Sequence, residues 1–162
     1  MNREGIAYLT ITSLLILLAG ILVTIVVPWL ESPLSTRASR PPYTEQELRG
    51  KMIYQREGCW YCHTQQVRLP EVGVGTIQVK GDIGPESKPE DFVYDQPVLW
   101  GTERQGPDLA HVASRPYGAV KEWHIIHLKD PQSLNPGTVM PSFAHLPEDE
   151  LEALAAYLLT LR

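Results

Sequence analysis

Five consecutive residues, Cys59-Trp60-Tyr61-Cys62-His63, have types and a spacing that point to one specific chemistry. Two thiols three positions apart lie one helical turn from each other, so each can add to one vinyl group of a haem. A histidine directly after the second thiol is then held beneath the iron as its proximal ligand. The chain has two cysteines, and both fall in this motif. The motif therefore predicts one covalently bound haem c, attached at Cys59 and Cys62 and ligated by His63.

Three other interpretations of the same residues have to be considered. A redox-active dithiol of the thioredoxin type follows a strand, whereas a helix-like stretch, residues 44–57, precedes this motif. A structural zinc site needs four ligands, which the two cysteines and one or two of the five histidines could supply. A disulfide between the two cysteines is sterically possible but gives His63 no role.

Met140 is the candidate for the second axial iron ligand. A six-coordinate haem c most often takes a methionine thioether there. Of the three methionines, Met1 lies beyond a long apolar segment, and Met52 is too close to the motif to reach the opposite haem face. Met140 follows a run rich in proline and glycine, residues 136–141, which predicts a loop. The alternative is a methionine of the hydrophobic core.

Two helices and one turn are expected to position these residues. The Pro107 carbonyl, in Gly106-Pro107-Asp108-Leu109, can accept a hydrogen bond from His63 Nδ1 and so orient the imidazole. The helix over residues 44–57 carries Gly50 and Tyr54 four positions apart. An amphipathic helix is predicted over residues 147–161, with leucines at helical spacing. The leucines are Leu151, Leu154, Leu158 and Leu161. Three acidic residues in the first turn, Glu148, Asp149 and Glu150, and Arg162 at the end match the helix dipole.

The order of these features resembles class I cytochromes c. A helix, C-x-x-C-H, G-P-x-L, M-P and a closing helix follow one another as they do in that family. The resemblance implies a mainly α haem domain in which the first helix, with its small residue, crosses the last one. The segment 69–94 is a long irregular insertion into this plan, with a short strand possible at residues 76–80.

An uncharged stretch of 22 residues, Ile6–Val27, predicts a single transmembrane helix near the N-terminus. The alternative, a cleaved signal peptide, has an apolar core of only ~7–15 residues. The flanking charges do not favour an orientation, since Arg3 precedes the stretch while Arg37 and Arg40 follow it. Haem c is attached outside the bacterial cytoplasmic membrane, so we expect the haem domain on the periplasmic or extracellular side. The predicted parts are an anchor (1–30), a linker (31–42) and a cytochrome c domain (43–162).

A further helix is predicted over residues 119–129, which carry His124 and His127 three positions apart. These histidines are either metal ligands or a solvated or haem-edge pair. The net charge of −5 excludes nucleic acid as the obvious partner. It permits docking of a basic soluble cytochrome as the electron donor.

Three blocks of sequence point to a more specific family: residues 58–68, residues 94–109, and Trp123-His124 through His127-Leu128 with Asp130-Pro131 and Met140-Pro141. They resemble the monohaem cytochrome c subunit of C-family, cbb(3)-type, haem-copper cytochrome c oxidases. That resemblance implies an electron-transfer subunit that passes electrons to a separate catalytic membrane subunit with haem b and copper, alongside further cytochrome c subunits. It also implies that Cys59, Cys62, His63 and Met140 hold the haem. Arg68 and Arg104 are expected near the haem propionates, and Trp100, Pro107 and Leu109 near the haem.

Two departures from that family pattern keep other functions open. Residues 71–88 do not follow the pattern, and the chain ends soon after Met140-Pro141. The alternatives are a subunit of a related nitric oxide reductase, a free-standing membrane-anchored cytochrome c, or a ligand-binding haem sensor or peroxidase. The oxygen-reducing site itself is assigned to another chain, because the single predicted span contains no histidine.

Overall fold

The computed structural model describes residues 2–31, 38–68 and 84–162. The chain divides into two compact units, Met1–Ser39 and Arg40–Arg162. Within the described ranges it forms helices and short 3-10 turns and no strand, which confirms the mainly α prediction. The strand predicted at residues 76–80 lies outside these ranges. The boundaries of anchor, linker and haem domain given above stay predictions.

The first unit is built from one long apolar helix. It comprises α1 (Arg3–Ile21), a π-helical turn (Leu22–Val26) and α2 (Val27–Glu31). The Asn2 side chain caps the start, accepting a hydrogen bond from the Gly5 amide at 3.0 Å. The 28 residues of Arg3–Leu30 span about 42 Å at ~1.5 Å per residue, more than the ~30 Å of a bilayer core. The helix is therefore long and apolar enough to cross a membrane.

The second unit begins with α3 (Glu45–Arg56), whose ends agree with the prediction of a helix over residues 44–57. Thr44 and Glu47 form a capping box, in which each side chain accepts a hydrogen bond from the other residue's backbone amide. This exchange satisfies two amides of the first turn that have no partner within the helix. Glu57 caps the other end.

The last helix, α6 (Glu148–Leu158), crosses α3 at very short range. Gly50 makes the approach possible, since a β-carbon there would lie 2.0 Å from the Ala153 carbonyl oxygen. The Tyr54 and Tyr157 rings meet edge-on, with centroids 5.5 Å apart. Arg162 donates a hydrogen bond to the Leu159 carbonyl at 3.3 Å, as expected of a cation at a helix end. The predicted crossing of the first and last helices of this unit, α3 and α6, is confirmed.

Between them lie α4 (Lys121–Lys129) and the short α5 (Pro131–Leu134). The prediction of a helix from residue 119 was wrong by two residues, because Val120 adopts an extended backbone and precedes the first helical turn. The segment after Met140 returns to the end of α4: the Phe143 amide donates to the Leu128 carbonyl at 2.8 Å.

The core of the second unit lies mainly between α3 and α6. The four leucines predicted at helical spacing are all buried, although α6 ends at Leu158 and Leu161 lies beyond it, so the prediction of a helix to residue 161 was too long. They share one cluster with residues from α3, α4 and the connecting loops: Ile53, Tyr54, Leu99, Val112, Leu128, Phe143, Leu146, Leu151, Ala153, Leu154, Tyr157, Leu158 and Leu161.

Segments on either side of the predicted insertion are held by hydrogen bonds. The Ser87 amide donates to the Val67 carbonyl at 2.9 Å, and the Val67 amide donates to Ser87 Oγ at 2.9 Å. Farther along, the nearly buried Asp95 carboxylate accepts hydrogen bonds from Lys51 on α3 and from Arg40, at 2.6 and 2.5 Å. These contacts fix the two ends of the insertion to the body of the unit.

Candidate functional site

The C-x-x-C-H motif forms one tight turn directly after α3. Gly58 has φ 74°, a backbone conformation that favours glycine, and it turns the chain out of the helix. Cys59–Tyr61 form a 3-10 turn, and the amides of Cys62 and His63 both donate to the Cys59 carbonyl, at 3.2 and 3.0 Å. The two thiols and the imidazole are therefore held together by backbone hydrogen bonds, as the sequence spacing predicts.

The two thiols have different surroundings. Cys59 is partly buried and packs against the core cluster. Burial raises the pKa of its thiol to about 12, with smaller contributions from Glu57 and Cys62. Cys62 Sγ lies 3.6 Å from Gln105 Oε1. Both residues are free thiols in the structure, not a disulfide.

The alternative metal and dithiol interpretations find no support in this geometry. In the part of the chain that the structure describes, no three or more histidine, cysteine or acidic side chains cluster as metal ligands would. A helix precedes Cys59 rather than the strand that a thioredoxin-type dithiol follows.

His63 is held by the bond that the sequence predicts. Its Nδ1 lies 2.8 Å from the Pro107 carbonyl oxygen. Because a carbonyl oxygen only accepts, Nδ1 carries the proton and Nε2 keeps its lone pair. Burial lowers the pKa of the His63 imidazole, although its hydrogen bond to Pro107 acts in the opposite direction. The neutral ring with an open Nε2 is the form that binds a metal ion.

Two glycines give this imidazole and its backbone the room they need. A β-carbon on Gly106 would lie 2.2 Å from His63 Cε1, so the ring lies directly against the backbone at this position. The Gly106 amide also donates to the Cys62 carbonyl at 2.9 Å. At Gly101, where φ is 71°, a β-carbon would lie 2.5 Å from the His63 carbonyl oxygen. The close approach of Gly101 to His63 was not predicted from the sequence.

Asp108 anchors the turn that carries Pro107. It is fully buried, and its carboxylate accepts hydrogen bonds from the Thr64 hydroxyl and from the Gln66 and Ala110 amides, the latter two at 3.1 and 2.8 Å. Arg104 forms an ion pair with it at 3.3 Å. A buried carboxylate with this many donors fixes the loop relative to the motif.

Two residues of this network were not predicted from the sequence. Asp108 lies within the G-P-x-L motif at its variable position, and its place directly after the proline that orients His63 is the local signal for its role. Arg115 is nearly buried and donates to the Asp108 carbonyl at 2.6 Å. Its charge also contributes to lowering the pKa of His63.

Arg104 and Arg68, both predicted to lie near haem propionates, have different settings. Arg104 donates to Thr64 Oγ1 and to the Gln66 carbonyl, at 2.5 and 2.7 Å, in addition to its pair with Asp108. Arg68 is exposed at the end of the described range 38–68. Contact of either residue with a propionate stays a prediction.

Trp100 and Leu109, predicted to lie near the haem, both bond to the segment after the motif. The Gln65 amide donates to the Trp100 carbonyl at 2.9 Å, and the Leu109 amide donates to the Thr64 carbonyl at 2.7 Å. The Trp100 ring also meets Phe92 edge-on at 5.6 Å. These bonds bring residues 99–109 alongside the haem motif.

Met140 lies against the same core as the motif. It is partly buried, and it packs on the core cluster, as do Cys59 and Leu109. Its amide donates to Thr138 Oγ1 at 3.2 Å, within a loop rather than a helix. The predicted loop is confirmed, and the methionine is not fully enclosed by the core.

His124 and His127 point to different neighbours. His124 is buried, and its Nε2 lies 2.8 Å from the Gly118 carbonyl oxygen, so the description of it as a solvated residue was wrong. The His127 ring stacks on Trp123, with centroids 4.7 Å apart and planes 12° from parallel. Among the described residues, neither ring belongs to a cluster of three or more histidine, cysteine or acidic side chains that could hold a metal ion.

The residues around the motif fit a haem c. The two free thiols lie in one turn, and the neutral imidazole offers Nε2 next to a glycine without a side chain. A buried ring nitrogen of His127 lacks a hydrogen-bond partner among the described residues, as expected of a pocket that receives a further group.

Comparison with known proteins identifies the family. A search of curated proteins finds no match to the chain. The family model described as cytochrome c oxidase, mono-haem subunit/FixO matches residues 1–160. A subunit of this kind works in an oxidase complex and carries one haem, and the apolar helix Arg3–Leu30 supports its attachment to a membrane. Since the match covers nearly the whole sequence, this chain belongs to the FixO family of cytochrome c oxidase mono-haem subunits.

Proposed function

We propose that this chain is a membrane-anchored monohaem c-type cytochrome that passes electrons to the oxygen-reducing subunit of a cbb(3)-type cytochrome c oxidase. The observation that carries the proposal is the bond between His63 Nδ1 and the Pro107 carbonyl, 2.8 Å long, directly beside two free thiols. It leaves Nε2 of a neutral imidazole open at the position that a haem iron occupies in C-x-x-C-H proteins.

Each site residue has one role in this proposal. Cys59 and Cys62 hold the haem through thioether bonds, each formed when a thiol S–H adds across a vinyl group. His63, through Nε2, and the thioether of Met140 would be the two protein ligands of the iron. The haem supplies a one-electron couple between ferrous and ferric iron. The protein orients the imidazole, excludes water and keeps both axial positions filled.

The surroundings of Met140 favour electron transfer over ligand binding. The residue lies in a loop and packs against the same core cluster as Cys59, and the Phe143 bond to α4 holds the chain just after it. A thioether supplied by a restrained loop keeps the sixth position closed. A sensor or peroxidase would need that position open.

The anchor and the haem domain have separate tasks. The helix over Arg3–Leu30 holds the subunit in the bacterial cytoplasmic membrane, with the haem unit on the periplasmic or extracellular side, where haem c is attached. This helix contains no histidine, so haem b and copper belong to the catalytic partner. The electrons come from a further cytochrome c subunit or from a soluble cytochrome.

An absorption spectrum of the reduced full-length chain, made in a host that matures c-type cytochromes, tests the haem site. We expect one haem that survives acid–acetone extraction and a low-spin spectrum that does not change under carbon monoxide. In Met140→Ala the sixth position opens, so carbon monoxide binds. The variant Met52→Ala is the control, because that side chain is exposed on α3. A wild-type chain that binds carbon monoxide readily would contradict the proposal.

Purification in mild detergent from a native membrane tests the partner. We expect the chain to co-purify with a large subunit that contains haem b and copper, and the complex to reduce oxygen with reduced cytochrome c as donor. A chain that elutes alone under several mild detergents would instead indicate a free-standing carrier. A complex that reduces nitric oxide but not oxygen would indicate the related reductase.

A further inference from the structure

His127 has a buried nitrogen to which the described residues give no partner. Its Nδ1 is shielded from solvent and has no hydrogen-bond partner among the described residues. Leaving such an atom unpaired costs free energy, so a buried nitrogen of this kind usually has a partner. Its neighbour on the same helix, His124, shows the usual arrangement, with Nε2 bonded to the Gly118 carbonyl at 2.8 Å. The exception at His127 indicates a partner that the protein chain does not supply.

The position of His127 indicates where that partner lies. The end of α4 is tied to the segment that follows Met140, because the Phe143 amide donates to the Leu128 carbonyl and Ser142 Oγ donates to the Lys129 carbonyl at 2.6 Å. His127 directly precedes these two acceptors in sequence. It therefore lies on the helix that carries the Met140 loop.

The protonation state of His127 follows from its surroundings. Burial lowers the pKa of its imidazole to about 4, with smaller contributions from His63 and His124. The ring is neutral at pH 7, so it has one N–H to donate.

The orientation of the ring is fixed by stacking. The His127 and Trp123 planes are 12° from parallel at 4.7 Å, and Trp123 in turn packs on Tyr117 at 4.7 Å. A stacked ring cannot rotate freely to find another partner for Nδ1. The nitrogen therefore has a set direction before any partner arrives.

We propose that His127 is a positioning residue of the haem pocket, whose Nδ1–H donates a hydrogen bond to an acceptor of the bound haem group on the side that Met140 covers. The inference rests on the haem site proposed above. Two acceptors share the required chemistry: the Met140 sulfur and a haem carboxylate. In either case the positive end of the N–H dipole points toward the haem, so it favours the reduced iron and raises the reduction potential.

Three variants of the full-length, haem-loaded chain test this role. His127→Phe keeps a ring for Trp123 but removes the donor, and we expect its midpoint potential to fall. His127→Asn carries an amide N–H close to the position of Nδ1, and we expect it to keep most of the wild-type potential. His145→Phe is the control, because that imidazole is exposed and bonds only to Glu57, at 3.4 Å.

A second measurement identifies the acceptor. The charge-transfer band of a methionine-ligated ferric haem reports on the iron–sulfur bond. If Nδ1 donates to the Met140 sulfur, this band shifts or weakens in His127→Phe together with the potential. If the acceptor is a haem carboxylate, the potential falls while the band stays unchanged.

The outcomes separate this inference from the proposed function. A His127→Phe chain whose potential and band both match those of wild type and His145→Phe would overturn the role of His127 and leave the haem site intact. The same follows if His127→Asn behaves like His127→Phe. A wild-type chain without covalent haem would overturn both. The circular dichroism spectrum of each variant checks that the helices are kept.

Discussion

Gly106 and His63 are in such close contact that a single methyl group would not fit between them. A β-carbon at residue 106 would lie 2.2 Å from Cε1 and 2.7 Å from Nδ1 of the imidazole. The backbone of the G-P-D-L turn thus forms one wall of the ligand site, and its carbonyl at Pro107 orients the ring at the same time. Steric fit and hydrogen bonding at His63 come from the same four residues.

Gly106→Ala is therefore expected to displace the imidazole and to weaken its bond to Pro107. Overpacking of this kind destabilises a protein by about 1–3 kcal/mol. We expect a lower denaturation midpoint and less haem bound per chain, measured by urea unfolding and by haem absorbance per milligram. Gly20→Ala is the control, since a β-carbon there meets nothing within 4 Å. Equal haem content in Gly106→Ala and wild type would contradict the steric argument.

Gly50→Ala is expected to push α3 away from α6. The new methyl group would lie 2.0 Å from the Ala153 carbonyl oxygen, a backbone atom that cannot move aside as a flexible side chain would. Alanine favours a helix by about 1 kcal/mol over glycine, while overpacking costs up to ~3 kcal/mol. We therefore expect a net loss in unfolding free energy of about 1–2 kcal/mol.

Gly20→Ala is also the control for Gly50→Ala, because it adds the helix propensity of alanine without the overpacking. Both glycines lie inside helices, but the one in α1 has open space around it. If Gly50→Ala proves as stable as wild type in denaturant titration, helix α3 does not depend on the close crossing.

Asp108→Asn is expected to be strongly destabilising. The change leaves the guanidinium of Arg104, which is only 7% exposed, without its carboxylate partner. Breaking a buried ion pair by removing one member costs about 3–5 kcal/mol, and we expect the lower end because asparagine keeps an acceptor oxygen. Asp149→Asn removes an exposed pair with Arg49 and should change stability little. Thermal unfolding of both variants gives the comparison.

The stability of the haem unit should fall on acidification, in part because of His124. Burial lowers the pKa of this imidazole in the folded chain below the ordinary value of ~6.5. Between the two values the unfolded chain binds more protons than the folded chain, so stability decreases as the pH falls through ~6.5. His124→Gln keeps a donor for the Gly118 carbonyl but does not titrate, so its unfolding free energy should depend less on pH. Parallel slopes for variant and wild type between neutral and mildly acidic pH would contradict this.

Much of the fold could be predicted because its signals are local. The caps of α3, the leucine spacing of α6 and the loop at Met140 depend on neighbouring residues. The bond from His63 to Pro107 could also be predicted, since the C-x-x-C-H and G-P-x-L motifs together imply it.

The rest of the site depends on contacts between segments that are distant in sequence. The Thr64–Asp108 and Arg104–Gln66 bonds join residues about forty positions apart, which no local pattern marks. Charge alone likewise predicted Arg104 near a propionate, while the structure gives it acceptors within the protein. An arginine in the sequence indicates that a carboxylate or carbonyl partner is needed, but it does not indicate which one.

The paired hydrogen bonds between Val67 and Ser87 make the stretch between them a natural place for length variation. Both bonds are 2.9 Å long, and they close the chain before and after residues 69–83, so residues added between them leave the haem motif in place. The entropy of closing a loop grows slowly, by about 0.6 kcal/mol for each doubling of its length. A fluorescent peptide tag or an affinity epitope could be inserted there, giving a handle on the assembled oxidase without altering either end of the chain.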